Sequence, residues 1–375
     1  RIEETTVPQH YVDVGFETEV EIRDSGKTCE IEVENEPTKG YIRITKTDRL
    51  NGNPIEGVRF DIYENDEYGS ALVGSMVTDE NGVAVSEPLR KGRYIVREHG
   101  ETAGYVFEEI ALDAVVKPDE TTDLSVTNQP VRVRLKLYKR DADEYAGKPA
   151  DAPGTRGDGE LTGAVFRVLA AQDITDRQDN VIYEKGAVVV DSLTTAGQDA
   201  SVTTDALWPG MYEIVELAPP VGYQASDTAI TIDTRDAARQ SVEAVITYEG
   251  VVTNEIRYGA QAIVKLLGGM SDDPDPDRVE TPEAGAEFLV YLRKAGSYEN
   301  ARAFERDRLV TDENGYAKTK ALPYGVYVLE QIKGAPGYEL KGPILFEIDG
   351  TEDILNPPPL TLSDRPIRYR LRLMK

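Results

Sequence analysis

Lysine, asparagine and glutamate recur in this sequence at fixed positions relative to predicted strands. An Asn or Asp precedes a Lys by eleven residues four times: Asn35–Lys46, Asn128–Lys139, Asn254–Lys265 and Asp364–Lys375. Between the two members, runs such as YIRITK at 41–46 alternate polar and apolar residues. Alternation with period two predicts a β-strand with one buried face. We therefore predict that one domain ends at the Asn or Asp and that the next begins with the strand carrying the Lys.

A glutamate follows a second repeated motif, Leu-x-x-Gly-x-Tyr. Glu98 and Glu216 each lie nine residues after the Leu and four residues after the Tyr of their copy. Because side chains alternate along a strand, the Tyr and the Glu share a face, and the apolar Val96 places that face inward. A carboxylate in an apolar core is costly unless it is paired. Each repeat is therefore predicted to hold a Lys on its first strand, an inward Glu in the middle and an Asn on its last strand.

The 375 residues divide into repeats that each have the size of a single β-sandwich. Almost no segment has helical periodicity, which predicts an all-β protein. We predict the C-terminal part of a truncated domain at 1–37, complete domains at 38–129, 130–255 and 256–365, and the first strand of a following domain at 366–375. The second repeat has two long polar insertions, 141–162 and 171–186, which are expected to be surface loops.

Composition excludes several classes of function. The 42 basic and 68 acidic residues give a net charge of -26, which argues against nucleic acid and anionic membrane as partners. With Cys29 as the one cysteine and two histidines, no disulfide, Cys/His zinc site or attractive Ser-His-Asp triad is expected. No run is long and apolar enough to span a membrane, and residues 1–20 are not a signal peptide. We expect no cofactor and no metal, and any export signal or anchor outside this segment.

The order of the motifs resembles that of one known family. K-x-D, G-A-x-F, T-D-x-N-G, G-x-Y-x-x-x-E-x-x-x-P-x-G-Y and a terminal T-N recur along nearly the whole chain. This pattern is similar to the Cna B-type (SpaA-like) domains of Gram-positive surface adhesins and pilins. The resemblance implies tandem transthyretin-like, inverse Ig-type β-sandwiches in an elongated rod. It also implies a self-formed Lys–Asn isopeptide bond that a buried Glu promotes.

Carried over by position, the resemblance assigns two complete sets and parts of two others. The complete sets are Lys46–Asn128 with Glu98 and Lys139–Asn254 with Glu216, and the incomplete ones are Glu4 with Asn35 and Lys375 alone. Burial favours a neutral amine nucleophile and a protonated carboxyl that can polarise the Asn carbonyl and move protons. Ammonia leaves, and the reaction occurs once, so the protein is not an enzyme with turnover.

The third complete repeat departs from this pattern. The spacing that gives Glu in the first two repeats falls on Gln331, and Asp364 replaces the Asn of the last strand. We expect a buried Lys265–Asp364 ion pair that Gln331 hydrogen-bonds, without a covalent bond. Two alternatives stay open: a bulge could turn Glu330 inward and permit a Lys–Asp bond, or the Asp could promote attack of Lys265 on Gln331.

These inferences favour a structural stalk that contacts neighbouring repeats and holds an adhesive tip, for a host matrix or cell-surface ligand, away from a bacterial wall. The alternative is a host-ligand-binding module that uses the loops at 141–162 and 171–186. A carbohydrate-processing appendage has less support because the loops lack aromatic clusters. The sequence Arg-Gly-Asp at 156–158 is interpreted as a flexible turn rather than an integrin motif, and the acidic run at 271–277 as a solvated loop rather than a calcium site.

Overall fold

A computed structural model describes residues 1–23, 25–66, 69–240, 243–268, 280–369 and 371–374. Three consecutive parts of the chain each fold as two facing sheets with a hydrophobic core between them. We refer to them as the first, second and third sandwich. Lys375 and the acidic run at 271–277 lie outside the described residues.

A small antiparallel pair of strands precedes the first sandwich. It consists of β1 (Ile2–Glu3) and β2 (Glu17–Thr18). An isolated bridge joins Tyr11 to Pro37 farther along the chain. This region therefore brings distant residues of the predicted partial domain together with few strand contacts.

The described residues of the first sandwich form seven strands. They are β3 (Tyr41–Asp48), β4 (Arg59–Asp66), β5 (Gly69–Val77), β6 (Val83–Val85), β7 (Gly92–Glu98), β8 (Ala111–Val116) and β9 (Thr121–Asn128). The strand orders are β6-β3-β9 and β5-β4-β7-β8. Along β3, Ile42, Ile44 and Lys46 are fully buried and the residues between them are not. The predicted alternation thus directs a lysine into the same core as two isoleucines.

The second sandwich repeats this plan with insertions. Its strands are β10 (Arg132–Asp141), β11 (Val165–Ala170), β12 (Ile174–Thr175), β13 (Val181–Tyr183), β14 (Val188–Thr194), β15 (Ser201–Thr203), β16 (Met211–Ala218), β17 (Ile230–Asp233) and β18 (Val245–Asn254). The sheets are β15-β10-β18 and β14-β11-β16-β17. Helix α1 (Ala142–Tyr145) begins after Asp141, which caps it, and a 3-10 helix spans Arg235–Arg239. The insertion at 171–186 contains the β12-β13 hairpin rather than only loop.

The third sandwich has the same two-sheet arrangement. Its strands are β19 (Tyr258–Gly259), β20 (Ala262–Leu267), β21 (Thr281–Pro282), β22 (Glu287–Leu292), β23 (Arg306–Val310), β24 (Tyr316–Lys318), β25 (Leu322–Pro323), β26 (Gly325–Lys333), β27 (Tyr338–Glu339), β28 (Ile344–Ile348) and β29 (Pro359–Pro366). The larger sheets are β21-β20-β29-β27, with β24 also on β20, and β23-β22-β26-β28. Two 3-10 helices span Arg293–Ala295 and Ala303–Glu305.

In every sandwich the strand that carries the lysine (β3, β10 or β20) is the parallel neighbour of the last strand, and the three pairs share one register. The residues opposite the three lysines are Val126 for Lys46, Val252 for Lys139 and Leu362 for Lys265. Asn128, Asn254 and Asp364 each follow two residues later. Because side chains alternate with period two, this register places the Lys and its partner on the same inward face.

The insertion at 141–162 packs against the third sandwich. The Gly157 N–H donates to Glu305 Oε1 at 2.9 Å, and the Asp158 N–H donates to the Tyr324 carbonyl oxygen at 2.9 Å. Asp158 Oδ2 in turn accepts from the Val326 N–H at 2.9 Å. The Arg-Gly-Asp sequence therefore forms hydrogen bonds between two domains. It was expected to be a flexible turn, and the structure instead shows it packed against the third sandwich.

Candidate functional site: buried lysine clusters

The first cluster joins three side chains from both sheets of the first sandwich. Lys46 Nζ lies 2.7 Å from Glu98 Oε2 and also contacts Asn128 Oδ1. Asn128 Nδ2 donates to Glu98 Oε1 at 2.8 Å, so one carboxylate contacts both the amine and the amide nitrogen. The Phe60 ring, 5.8 Å from Nζ, forms an apolar wall. The predicted set Lys46, Glu98 and Asn128 is thus brought together in the core.

Strand pairing explains why these residues meet. Lys46 on β3 and Asn128 on β9 come from the parallel pair of one sheet. Glu98 is at the end of β7 in the facing sheet, where it lies opposite Phe60 of β4. The carboxylate therefore reaches the Lys and the Asn from across the core.

The second cluster has the same arrangement. Lys139 Nζ contacts Asn254 Oδ1 and lies 3.3 Å from Glu216 Oε1. Asn254 Nδ2 donates to Glu216 Oε2 at 2.7 Å and to the Gln224 carbonyl oxygen at 2.7 Å. These two acceptors fix the amide orientation, so that Oδ1 rather than Nδ2 faces the lysine.

Burial shifts the charge balance of both lysines. Removal of the Lys46 amine from water lowers its pKa, although Glu98 opposes this shift. The same burial lowers the pKa of Lys139 to about 8, against the opposing charge of Glu216. The neutral amine, which is the nucleophilic form, is therefore much more accessible than on an exposed lysine.

The third cluster is built from different side chains on the same strands. Lys265 Nζ lies 2.7 Å from Asp364 Oδ1, and Gln331 Nε2 donates to Asp364 Oδ2 at 2.8 Å. Gln331 lies opposite Phe288, as Glu98 and Glu216 lie opposite their own phenylalanines. The structure thus places the three predicted residues of the variant set together.

Glu283 is a fourth member of this cluster, which the sequence analysis missed. Its Oε2 lies 3.3 Å from Lys265 Nζ, and its side chain is buried. Oε1 accepts from the Ala335 N–H at 2.5 Å. A second carboxyl group therefore contacts the lysine of the third sandwich from outside the predicted set.

Glu283 occupies a position that is apolar in the other two sandwiches. A threonine hydroxyl donates to the carbonyl oxygen at this position in each: Thr78 to Ile55 at 2.7 Å, Thr195 to Leu161 at 3.0 Å and Thr311 to Glu283 at 2.6 Å. All three residues lie two positions before the Gly that opens the next strand motif. An alignment of the repeats on that Gly would have revealed an acid where a core Ile or Leu is expected.

Glu330 does not join the cluster. It lies opposite Leu289 and is half-buried, whereas its neighbour Gln331 is buried on the inward face. The register of β22 and β26 does shift, but between Glu287 and Phe288, and Gln331 still points inward. The bulge that would have brought Glu330 to Lys265 is therefore not formed.

The incomplete N-terminal set also forms a contact. Asn35 Nδ2 donates to Glu4 Oε1 at 2.9 Å. Within the described part of the chain, Glu4 Oε2 and Asn35 Oδ1 are buried and have no hydrogen-bond partner. The pair thus presents two unsatisfied oxygens where the complete clusters have a lysine.

The described ranges offer no alternative metal site and no membrane-spanning helix. No group of His, Cys, Asp and Glu there could hold a metal ion, and Cys29 is exposed. No helix among those residues is both long and apolar enough to traverse a bilayer. The buried lysine clusters are therefore the groups on which a functional argument can be based.

One solved structure is similar to most of this chain. The Bacillus anthracis TIE protein is similar at 22% identity and a TM-score of 0.51, over 89% of this chain and 52% of that one. This chain therefore spans about half the length of that protein, and the likeness shows the fold. Comparison with curated protein sequences gave no match.

Two pilin structures are also similar, with TM-scores too low to carry an argument. The Bacillus cereus major pilin subunit BcpA shares 16% identity over 88% of this chain and 100% of that one, with a TM-score of 0.31. GBS52, the minor pilin of Streptococcus agalactiae, shares 16% over 64% and 99%, with a TM-score of 0.27.

The family assignment rests on the sequence of the domains. The SpaA prealbumin-like fold domain matches residues 40–130, 154–247 and 277–356, one match in each sandwich. Prealbumin is transthyretin, so the prediction of tandem all-β domains of that type is confirmed. Since the matches cover most of its length, the chain belongs to the SpaA family of prealbumin-like fold domains.

Proposed function

We propose that this chain is a stalk segment of a Gram-positive surface protein, stiffened by self-formed isopeptide bonds Lys46–Asn128 and Lys139–Asn254. One observation carries the proposal: in both clusters a buried glutamate contacts the lysine amine and the asparagine amide nitrogen together. A carboxyl group in that place can take a proton from one nitrogen and give a proton to the other.

The reaction follows from the contacts of the first cluster. Neutral Lys46 Nζ attacks Asn128 Cγ, which it already approaches through Oδ1. Glu98 Oε2, 2.7 Å from Nζ, takes a proton, and Oε1, 2.8 Å from Nδ2, delivers one to the departing nitrogen. The Nζ–Cγ bond forms, the Cγ–Nδ2 bond breaks and ammonia leaves, so that atoms and charge balance.

The second cluster supports the same reaction with a further positioning contact. The Gln224 carbonyl oxygen and Glu216 both accept from Asn254 Nδ2, at 2.7 Å each. These contacts orient the amide so that its nitrogen faces the carboxyl group that must protonate it. Because the lowered pKa of Lys139 is about 8, a substantial fraction of the amine is neutral near physiological pH.

The bonds would convert each sandwich into a closed loop. Lys46 and Asn128 are 82 residues apart, and Lys139 and Asn254 are 115 residues apart. By analogy with a disulfide, closing loops of this length stabilises by about 4–5 kcal/mol. A stalk needs that resistance to unfolding more than it needs a ligand site.

The cellular setting is part of the same proposal. The family and the acidic composition, with a net charge of -26, are consistent with an extracellular protein on a bacterial surface. We place its wall anchor and its adhesive tip for a host ligand in regions outside this segment. Neighbouring repeats are its structural partners, as the contacts of the 141–162 insertion with the third sandwich illustrate. Those contacts favour the stalk over a host-ligand module in the same insertion.

The intact mass of the purified chain tests the proposal. Two crosslinks predict the loss of two ammonia molecules relative to the sequence mass. The Glu98→Gln variant should lose only one, because its Lys46–Asn128 bond should not form. Peptide mapping should find Lys46 joined to Asn128 and Lys139 joined to Asn254. Separate peptides for both pairs in the folded chain would overturn the covalent part of the proposal.

A further inference from the structure

We propose that Glu283 promotes a third self-formed bond, between Lys265 Nζ and Asp364 Cγ, in the cluster that lacks the usual glutamate. This inference rests on the proposed function and extends it to a site whose acid comes from a different part of the fold. The sequence alone led us to expect an uncrosslinked ion pair there, because Glu283 was not recognised as a neighbour of Lys265.

The burial of Glu283 requires an explanation that packing does not supply. Its relative exposure is 3%, and the equivalent Ile55 and Leu161 contribute to apolar cores at 3% and 5%. A carboxyl group that replaces a core aliphatic side chain is destabilising unless it is paired or hydrogen-bonded. Its Oε1 has the Ala335 N–H, and its Oε2 has Lys265 Nζ at 3.3 Å as an ionic neighbour. The residue is thus aimed at the lysine.

The third cluster combines two carboxyl groups with one amine. Glu283 and Asp364 face one lysine, and Gln331 is neutral. Two carboxyl groups therefore approach a single amine inside the core, where all three side chains are buried. The reaction proposed here needs one carboxyl group to be attacked and a second to move a proton, and this cluster holds both.

Gln331 is oriented to assist rather than to react. Its Oε1 accepts from the Lys341 N–H at 2.8 Å, which directs its Nε2 to Asp364 Oδ2, also at 2.8 Å. A donor at this oxygen stabilises the negative charge that develops when an amine adds to the carboxyl carbon. Gly334 closes this side, since a Cβ there would lie 2.8 Å from Gln331 Nε2. The amide therefore supplies a positioned hydrogen bond, and the proton transfer is left to Glu283.

The chemical step balances within the cluster. Neutral Lys265 Nζ attacks Cγ of the protonated Asp364 carboxyl group, and Glu283 takes a proton from the nitrogen. Glu283 then returns that proton to the departing hydroxyl, the Nζ–Cγ bond replaces one Cγ–O bond, and water leaves. Asp364 Oδ2, held by Gln331, stays as the carbonyl oxygen of the new amide. No external reagent is needed.

Mass spectrometry of the full chain tests this inference. The wild-type chain should lose two ammonia molecules and one water, and mapping should join Lys265 to Asp364. Glu283→Leu, which installs the side chain of Leu161, and Glu283→Gln should each keep both ammonia losses and abolish the water loss. Glu280→Gln, at an exposed acid three positions away, should leave all three bonds intact.

A second variant distinguishes the loss of the bond from misfolding of the domain. Asp364→Asn should still form the third bond when Glu283 is present, but with the loss of a third ammonia in place of water. Two ammonia losses with separate Lys265 and Asp364 peptides in the wild type would overturn this inference and leave the proposed function standing. The water loss persisting in Glu283→Leu would overturn the role of Glu283, and the absence of any ammonia loss would overturn the proposed function itself.

Discussion

The first and third sandwiches hold the same lysine position with acids from two sides of the core. In the first, Glu98 at the end of β7 contacts both the Lys46 amine and the Asn128 amide nitrogen. In the third, Gln331 occupies that place and Glu283, which precedes β22, approaches the lysine instead. The parallel strand pair places the Lys beside its partner in both sandwiches, and in both an acid contacts the lysine amine. The comparison therefore leads to the prediction that the acid can come from more than one position in the fold.

Removing the lysine of the third cluster should have the largest effect. Lys265→Met abolishes the proposed bond and leaves Glu283 and Asp364 buried without a cation. We expect a loss of about 4–5 kcal/mol from the opened loop and roughly 3 kcal/mol more from the unpaired carboxyls. Calorimetry of the full chain should show one unfolding transition shifted far downward. Lys294→Met, at an exposed site of the same sandwich, should shift nothing, and a small shift in Lys265→Met would refute the comparison.

Removing the acid of the first cluster should have the next largest effect. Glu98→Gln gives the first sandwich the amide that the third has naturally, but without a second acid. The Lys46–Asn128 bond should not form, and the domain should lose about 4–5 kcal/mol. Calorimetry with intact mass measures both quantities, and Glu101→Gln at an exposed position is the control. Retention of the crosslink would mean that the carboxyl group is dispensable.

Transplanting the acid is the sharpest test of the comparison. Ile55 occupies the position of Glu283, so Ile55→Glu combined with Glu98→Gln rebuilds the third arrangement in the first sandwich. The double variant should recover part of the crosslink that Glu98→Gln loses, because the new carboxyl group faces Lys46. Mass spectrometry should detect the returning ammonia loss. Ile55→Gln with Glu98→Gln should recover none.

A smaller effect concerns pH. Asn254→Ala leaves Lys139 as a free amine, whose pKa of about 8 in the folded chain lies below the ordinary 10.5. Between these values the unfolded chain binds more protons than the folded chain, so the stability of the variant rises with pH across that window. In the wild type, the proposed Lys139–Asn254 bond removes this amine, so the rise should be absent. Denaturant unfolding at a series of pH values measures the difference, and equal slopes would show that Lys139 is free in both.

The sequence was sufficient for the sites whose residues lie on long alternating strands. Alternation along β3 and fixed spacing before Glu98 identified a buried Lys and Glu, and counting from Tyr327 placed Gln331 inward. Glu283 was missed because it follows the two-residue strand β21, which is too short to show periodicity. Short strands are specified by their neighbours in space rather than by their own pattern.

The docked Arg-Gly-Asp turn could not be predicted for a related reason. Gly157 has a φ of 56°, and a Cβ there would lie 2.1 Å from the Tyr324 carbonyl oxygen. That neighbour is far away in the sequence and belongs to another sandwich. Turn composition predicted a loop, but only the surface of the third sandwich determines where the loop packs.

The direction of the terminal strands determines which part of each sandwich carries load. In the second sandwich β10 and β18 run parallel over ten paired residues, from Arg132–Val245 to Asp141–Asn254. The chain thus enters at one end of this pair and leaves at the other, and a pull slides the strands in shear, with all hydrogen bonds loaded together. The Lys139–Asn254 contact lies at the end of the pair where the chain leaves the domain. A bond there would pass the force directly between β10 and the last residue of β18. The strand β10 alone would then carry the force through the domain. The rest of the sandwich would shield the Lys139–Asn254 bond from water.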